Sequence, residues 1–574
     1  MIIASLESYY ERAHAAGNLP PLGWMNLPLD YILIINEKGE YVSLMPNFEM
    51  DGSKRKRNTA ILPAIGKQAI KHTNSGEDPN LLWDNASFVF GLTSEDANEK
   101  DIIKSKKRLE HFTNLTNMVF SVTNDAGLMA LRKFYSKFQS YLNKIIKSGV
   151  TKSDVITFKL NIDSCLLLER PAILEVINNY LESSSETYPG TSMIDGGSEP
   201  IALNHYSIKN VRGTSSDGPL VAFNDSAYES YGAKKGAMSP VGNRTMIAYT
   251  TALNHLLRNG SEQRFQVGDT STVFWSDKTN DFENNFATIW GAISSKDDPD
   301  KYTNAVKAIF KSVDRGHFND NDGKIQFYVL GLSPSTARIA VRFWIVGIVS
   351  EFAGRIKQHF EYLQIIHSNN VLEYLPLYYL LKNIAVQGES KNIPPNLGGE
   401  VMQSILTGRP YPYTLFAAAI RRCKSEQDVS YPRAAIIKAY LNRIHNTEGI
   451  KVALDKENSN TAYRLGRLFA TLEKIQRDAL NIETIREKYY GSASCSPVTV
   501  FPTLLKLKNH HVAKLKESSQ IYYEKLIGEI MLEVPDNIPA NLSLQDQGRF
   551  AVGYYHQRQD LFTKKPSNEP GEKP

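Results

Sequence analysis

A chain of 574 residues exceeds one ordinary hydrophobic core, so two or more domains are expected. Its 66 lysines and arginines against 61 acids give a formal charge of only +5, so any nucleic-acid surface must come from local clustering. The 3 cysteines, Cys165, Cys423 and Cys495, form no CxxC pair, which excludes zinc ribbons and disulfide frameworks and predicts a reducing, cytoplasmic setting.

In chain order, residues 2–16 space their apolar positions as a helix, and the start carries acids and tyrosines where a secretory signal would be basic and then apolar. Residues 30–44 read as strand, turn (37–40) and strand, so an α+β domain opens the chain. Residues 50–70 mix the run Lys54-Arg55-Lys56-Arg57 with glycine and proline, and HTNSGEDPNLLWDN (72–85) follows; together they predict a long exposed loop. Two helices are expected over 100–147, strands over 157–168, and a helix over 172–181. A glycine-serine turn (213–218), an apolar strand candidate (220–223) and a helix (244–258) come next. Residues 339–354 are interrupted by Arg342 and Glu351 and fall short of the ~20 apolar residues of a membrane span, so they read as a core strand running into a helix. Beyond about residue 354 the period is helical, punctuated at Pro394, Gly408-Arg409-Pro410, Pro432, Asn446 and Pro497. The expected fold class is α+β: a mixed α/β body over 1–370, an all-α helical bundle over 371–563, and a disordered Pro/Glu/Lys tail over 564–574.

The chemistry-bearing residues cluster in four places. Lys67 and Lys71, beside Thr73, Asn74, Ser75 and Asn80, combine phosphate-holding cations with short amides and hydroxyls that reach base edges, although a solvated loop has the same composition. Trp83, Asp84 and Asn85 read better as a buried indole followed by a helix cap. Lys104, Lys106, Lys107 and Arg108 lie on one helix, as phosphate contacts or as a solvated face. Lys234 and Lys235 sit between glycines that permit close approach of a phosphate chain; Asn224, Tyr228 and Tyr231 could meet unpaired bases, but the two tyrosines read more readily as core aromatics at helical spacing. In the C-terminal half, Arg464, Arg467, Lys506, Lys508 and Lys514 suggest a basic helical face able to hold a single strand by its phosphates. His255, Asp269 and Asp277 show no metal-ligand spacing and no nucleophile motif, so no catalytic or metal residue is expected.

The segments LVAFNDSAYESYGAKKGAMSPV, AYTTALNHLL and VGDTSTVFW, with AYRLGRLFATLEKIQ, YYGSASCSPVTVFPTLL and GRFAVGYYHQRQDLF further on, resemble the large subunit of the type I-C CRISPR surveillance complex, the Csd1-type family, over nearly the full length. The resemblance implies a non-catalytic, cofactor-free subunit that recognises the duplex motif beside the target (the PAM), helps open the DNA and stabilises the displaced strand. Sequence specificity would then rest with the guide RNA. Pro79, Asn80, Leu82, Trp83, Asp84 and Asn85 match the family's PNxLWDN segment, which places PAM reading in the region before and around it. Implied partners are the backbone and guide-processing subunits of the guide RNA complex, target double-stranded DNA, a helicase-nuclease, and a small subunit made from the chain's own C-terminal region, for example from Val452; no membrane is involved. The competing reading is a stand-alone metal-dependent nuclease using His255, Asp269 and Asp277, and a third is a scaffold.

Overall fold

The computed structural model describes residues 1–52, 54–63, 78–94, 96–183, 187–214, 217–223, 225–290, 300–314, 322–335, 338–444, 449–535 and 537–562. Two compact units divide it: Met1–Asn259 with Ser335–Ile339, and Gly260–Pro334 with Ala340 onward.

In the first unit, α1 (Ile2–Ala15) precedes β1 (Trp24–Pro28), β2 (Tyr31–Ile35), β3 (Tyr41–Pro46), β4 (Phe48–Asp51), β5 (Lys54–Arg57), β6 (Thr59–Pro63) and β7 (Trp83–Asn85). Then follow α2 (Ala86–Val89), α3 (Glu99–Val119), α4 (Ala126–Ser136), α5 (Leu142–Lys147), β8 (Val155–Leu160) and α6 (Pro171–Ser183). The central sheet has the order β3-β2-β8-β7, with β8 parallel to β2 and the other pairs antiparallel. Strand β2 is nearly apolar throughout, as a strand covered on both faces must be, and it shares a core with Phe112, Phe134, Phe138 and Phe158. Its turn to β3 needs Gly39: φ is 74°, and a Cβ there would lie 2.6 Å from Ala130 O on α4. The loop expected over 50–70 is strand as far as Pro63, because β4 pairs with β5 and β1 with β6. The unit continues through the hairpin β9 (Thr187–Thr191) and β10 (Ser198–Ala202), the short pair β11 (Ser207–Ile208) and β12 (Gly218–Pro219), and α7 (Asn243–Leu256), which packs on α1. Residues 220–223 are not a strand and none of them is buried; β12 ends at Pro219.

The second unit opens with a four-stranded meander, β13 (Arg264–Val267), β14 (Thr270–Ser276), β15 (Gln326–Ser335) and β16 (Arg338–Ile348), with α8 (Asp281–Trp290) and α9 (Asp300–Asp314) inserted between β14 and β15; the residues of β15 and β16 within Ser335–Ile339 count with the first unit. Strand β16 runs directly into α10 (Val349–Leu363), as expected. Helices α11 (Leu377–Ile384), α12 (Leu397–Thr407), α13 (Tyr413–Ser425), α14 (Tyr431–Ile444), α15 (Thr461–Leu480), α16 (Thr484–Cys495), α17 (Pro497–Val512), α18 (Glu517–Met531) and α19 (Leu544–Phe562) complete it. The junction expected near residue 370 falls inside this unit. Phe274, Phe327 and Phe343 of the sheet share one continuous core with Phe352 of α10 and with Phe416, Phe469 and Phe550 of the bundle. A change of periodicity marks a change of secondary structure, not of core. At the centre of the bundle α15 and α19 touch backbone to backbone: a Cβ on Gly466 would meet Phe550 O at 2.1 Å, and one on Gly553 would meet Tyr463 O at 2.1 Å. No helix among the described residues is long and apolar enough to cross a membrane. The expected tail at 564–574 lies outside the described residues.

Three histidines are buried against tyrosine hydroxyls: His205 with Tyr249 at 2.7 Å, His359 with Tyr411 at 2.6 Å and His556 with Tyr463 at 2.9 Å. Burial pushes His205 and His556 down to about 4 and His359 to about 3. Unfolded imidazoles protonate near pH 6.5, so below that value the unfolded chain binds protons that the folded chain refuses, and stability falls as the pH drops. At about pH 5 each of these histidines is expected to remove roughly 2 kcal/mol. Thermal midpoints taken between neutral pH and pH 5 should fall, with a shallower slope for His359→Gln; a midpoint flat over that window contradicts the burial.

Candidate nucleic-acid interface

Residues 64–77 carry Lys67, Lys71, Thr73, Asn74 and Ser75, and all five lie outside the described residues. The stem on which this segment is mounted is well defined. The chain leaves β6 at Pro63, and the indole Nε1 of Trp83 on β7 donates to Pro63 O at 2.8 Å. Asn80, expected to reach a base, is instead 3% exposed; its N–H donates to Asp84 Oδ2 at 2.8 Å and its side chain is enclosed. It therefore leaves the set of base-reading candidates, since a side chain inside the stem cannot enter a groove. Leu82 has φ of 60° and is fully buried, so the segment turns sharply into β7. Asn85 caps α2, its Oδ1 accepting from Ser87 N at 3.2 Å and from Ser87 Oγ at 2.6 Å. Trp83, Asp84 and Asn85 thus serve the architecture.

The KRKR run alternates, as a strand must. Arg55 donates to Asp154 at 2.9 Å and lies 4.7 Å from the Phe48 ring centroid, while Arg57 reaches Asp30 at 3.5 Å. Asp30 and Asp154 are 2% and 7% exposed, so the two arginines tie the β4–β5 hairpin to the sheet. Lys56 lies in the alternate register and, like Arg55 and Arg57, is exposed. On α3, Lys104, Lys106 and Lys107 are exposed, and Lys100, Lys104 and Lys107 share one face by spacing, a stripe legible in the sequence but not singled out there. Arg108 is different: its guanidinium covers Phe88 at 5.0 Å and donates to Ser87 Oγ at 3.1 Å, so it anchors α3 to α2 and is only partly accessible.

The family model of the CRISPR-associated protein (Cas_Csd1) matches residues 6–562. The chain belongs to the Cas_Csd1 family. Among the curated proteins, no match was found. In this Cas_Csd1 chain Lys234 and Lys235 are exposed, on a segment pinned by Gly236, whose N–H donates to Leu203 O at 2.9 Å. Tyr228 and Tyr231, expected in the core, are 46% and 106% exposed. Their three-residue spacing suits a helix, but the chain here makes only a 3-10 turn, Ser226–Tyr228, followed by a reverse turn. Asn224 lies outside the described residues.

Two of the C-terminal candidates are corrected by their burial. Arg464 is 3% exposed and donates to Asn458 O at 2.7 Å, to Glu529 O and Ile530 O at 3.2 Å each, and to Glu533 at 2.8 Å. Arg467 is 0% exposed, with Gln557 Oε1 at 3.0 Å and Glu529 Oε1 at 3.3 Å. Both close off α18 and the turn before α15, so neither presents its guanidinium to a phosphate. Lys506 and Lys514 are exposed, whereas Lys508 is held by Glu524 at 2.6 Å.

Of the residues in the nuclease reading, Asp269 and Asp277 do not come together. His255 belongs to the first unit, and burial, with the charge of Arg258, lowers it to about 4. Asp269 and Asp277 flank β14, Thr270–Ser276, at opposite ends, roughly 25 Å apart by strand rise. Asp269 pairs with Arg342 at 3.3 Å. Among the described residues no three His, Cys, Asp or Glu side chains come together to hold a metal.

Proposed function

We propose that this CRISPR-associated chain is the non-catalytic large subunit of a type I-C surveillance complex, reading the PAM duplex with residues 64–77 and guiding the displaced strand along exposed lysines of both units. The observation that most supports this reading is the latched stem: Trp83 joins β7 to the end of β6, so the two strands flanking Lys67, Lys71, Thr73, Asn74 and Ser75 are tied together although they belong to different sheets. A recognition segment whose two ends are fixed loses less freedom on binding and positions its base contacts better. Lys104, Lys107, Lys234, Lys235, Lys506 and Lys514 are the exposed cations suited to sequence-independent phosphate contacts. The partners are the backbone and guide-processing subunits with their guide RNA, target DNA, and a helicase-nuclease recruited once the strands separate. A small subunit begun near Val452 would keep α15 whole with its cap, Asn460, whose Oδ1 accepts from Tyr463 N at 3.1 Å; a purified native complex without any short C-terminal species counts against it.

The decisive experiment is binding of the guide-loaded complex to matched duplexes that differ only in the flanking trinucleotide. Asn74→Ala is expected to flatten discrimination by about tenfold, the value of one base contact, while Lys71→Ala weakens all duplexes alike and lowers the salt slope by about one. Full discrimination in both variants would move recognition away from this segment.

A further inference from the structure

The stretch from Ser226 to Met238 sets local energetics against placement. Ala233 N donates to Ser230 O at 2.9 Å, and the two residues between them, Tyr231 and Gly232, have φ of 50° and 74°. Positive φ at both central positions is the mark of a type I′ turn, whose first central position favours Asn, Asp or Gly because a Cβ crowds the backbone there. Tyrosine is strained at that position. At 106% relative exposure, its ring gains no packing from the chain in return. Strain kept at an exposed aromatic points to a partner outside the chain.

The surroundings indicate which partner. Gly236 is wedged so closely behind β10 that a Cβ would lie 2.1 Å from Ala202 O, which fixes the neighbouring Lys234 and Lys235 against the sheet. Both lysines are exposed, and Lys235 also has positive φ, 49°. Arg338 adds a third cation, 5.9 Å from the Tyr228 ring centroid. Across residues 226–242 the single acid is Glu229. Cations beside a protruding aromatic match an unpaired nucleic-acid strand, with a base on the ring and phosphates on the lysines. A duplex keeps its bases stacked inside and offers Tyr231 no face.

We infer that residues 226–238 form a single-strand dock, in which Tyr231 stacks on an unpaired base and Lys234 and Lys235 hold the flanking phosphates. The inference rests on the chain working within a nucleic-acid-binding complex, and it deepens that reading by adding an aromatic platform distinct from the PAM segment. Guide RNA and displaced DNA share the required chemistry.

The test titrates the full-length chain with a labelled DNA strand of about 20 nucleotides, an RNA strand of the same sequence, and the matching duplex. Tyr231→Asn is expected to weaken unpaired-strand binding about five- to a hundredfold, the equivalent of one base stack, with Tyr231→Phe within about twofold of wild type. The larger loss, on DNA or on RNA, identifies the strand. Because asparagine suits a left-handed position, the thermal midpoint of Tyr231→Asn should stay level or rise, which a structural role for the tyrosine would not allow. Equal affinity of Tyr231→Asn and wild type, no measurable wild-type affinity for either strand, or a midpoint that falls with affinity would each overturn the inference. So would loss of a co-purifying subunit with strand affinity intact, which would make the turn a protein contact. Flank discrimination should be unchanged in Tyr231→Asn, so failure here leaves the PAM reading standing, and failure of that reading leaves this titration interpretable.

Discussion

Gly466→Ala is expected to lower the stability of the second unit by about 3 kcal/mol, while Gly528→Ala, on the same bundle, raises it by about 0.5–1 kcal/mol. The opposite signs follow from what each new methyl meets. At Gly466 it would lie 2.1 Å from Phe550 O and 2.8 Å from Tyr554 N, both backbone atoms of α19 that cannot rotate away. The helices would have to separate by about 1 Å to restore van der Waals distance, which loosens the close-packed contacts along their length. At Gly528 nothing lies within 4 Å, so alanine only removes freedom from the unfolded chain. Gly553→Ala should resemble Gly466→Ala, with the double variant less than additive, because both push the same pair of helices apart. Denaturant unfolding gives the magnitudes, and hydrogen exchange in residues 461–480 and 544–562 localises them. A wild-type midpoint for Gly466→Ala would refute the close approach.

That contact also explains how far the sequence could be read. Helical periodicity made the C-terminal helices legible, and the strand-to-helix passage at Ile348–Val349 could be seen because Arg342 and Glu351 break the apolar run. The partition into units could not, since a core is a property of which faces meet, and Phe274 and Phe352 are far apart in sequence yet share one. Charge runs proved the least legible feature. KRKR reads as a solvated loop, but Arg55 and Arg57 answer two buried carboxylates, Asp154 and Asp30, the first of them roughly a hundred residues away. Arg464 and Arg467 read as a basic face and are the buried ties of α15 to α18 and α19. In each case the partner is supplied by tertiary structure, which spacing along one helix cannot reveal. Tyr231 departs in the reverse direction: its three-residue spacing from Tyr228 suggests a helix face, while the adjacent Gly232, with φ of 74°, lets the chain turn instead.

Trp83→Phe is expected to separate architecture from recognition at the stem of the proposed PAM segment. The substitution keeps an aromatic ring in the core and removes the indole N–H, leaving Pro63 O without its 2.8 Å donor. An unanswered carbonyl at a buried position costs about 1–2 kcal/mol, whereas Trp83→Ala, which also empties the ring's volume, should cost about 3–5 kcal/mol. The smaller change is the informative one. With the latch gone, the hydrogen bond that ties the end of β6 to β7 no longer fixes the separation of the two strands flanking the segment. Base contacts need a narrow geometry and phosphate contacts do not, so the loss should fall on discrimination. Flank-matched duplex is expected to bind the assembled complex about tenfold more weakly, with mismatched flanks bound as before. If Trp83→Phe lowers the thermal midpoint and leaves discrimination intact, the tryptophan serves the core alone and the stem does not shape recognition. If both duplexes weaken equally, the segment acts through charge, and its lysines, not its amides and hydroxyls, carry its contribution.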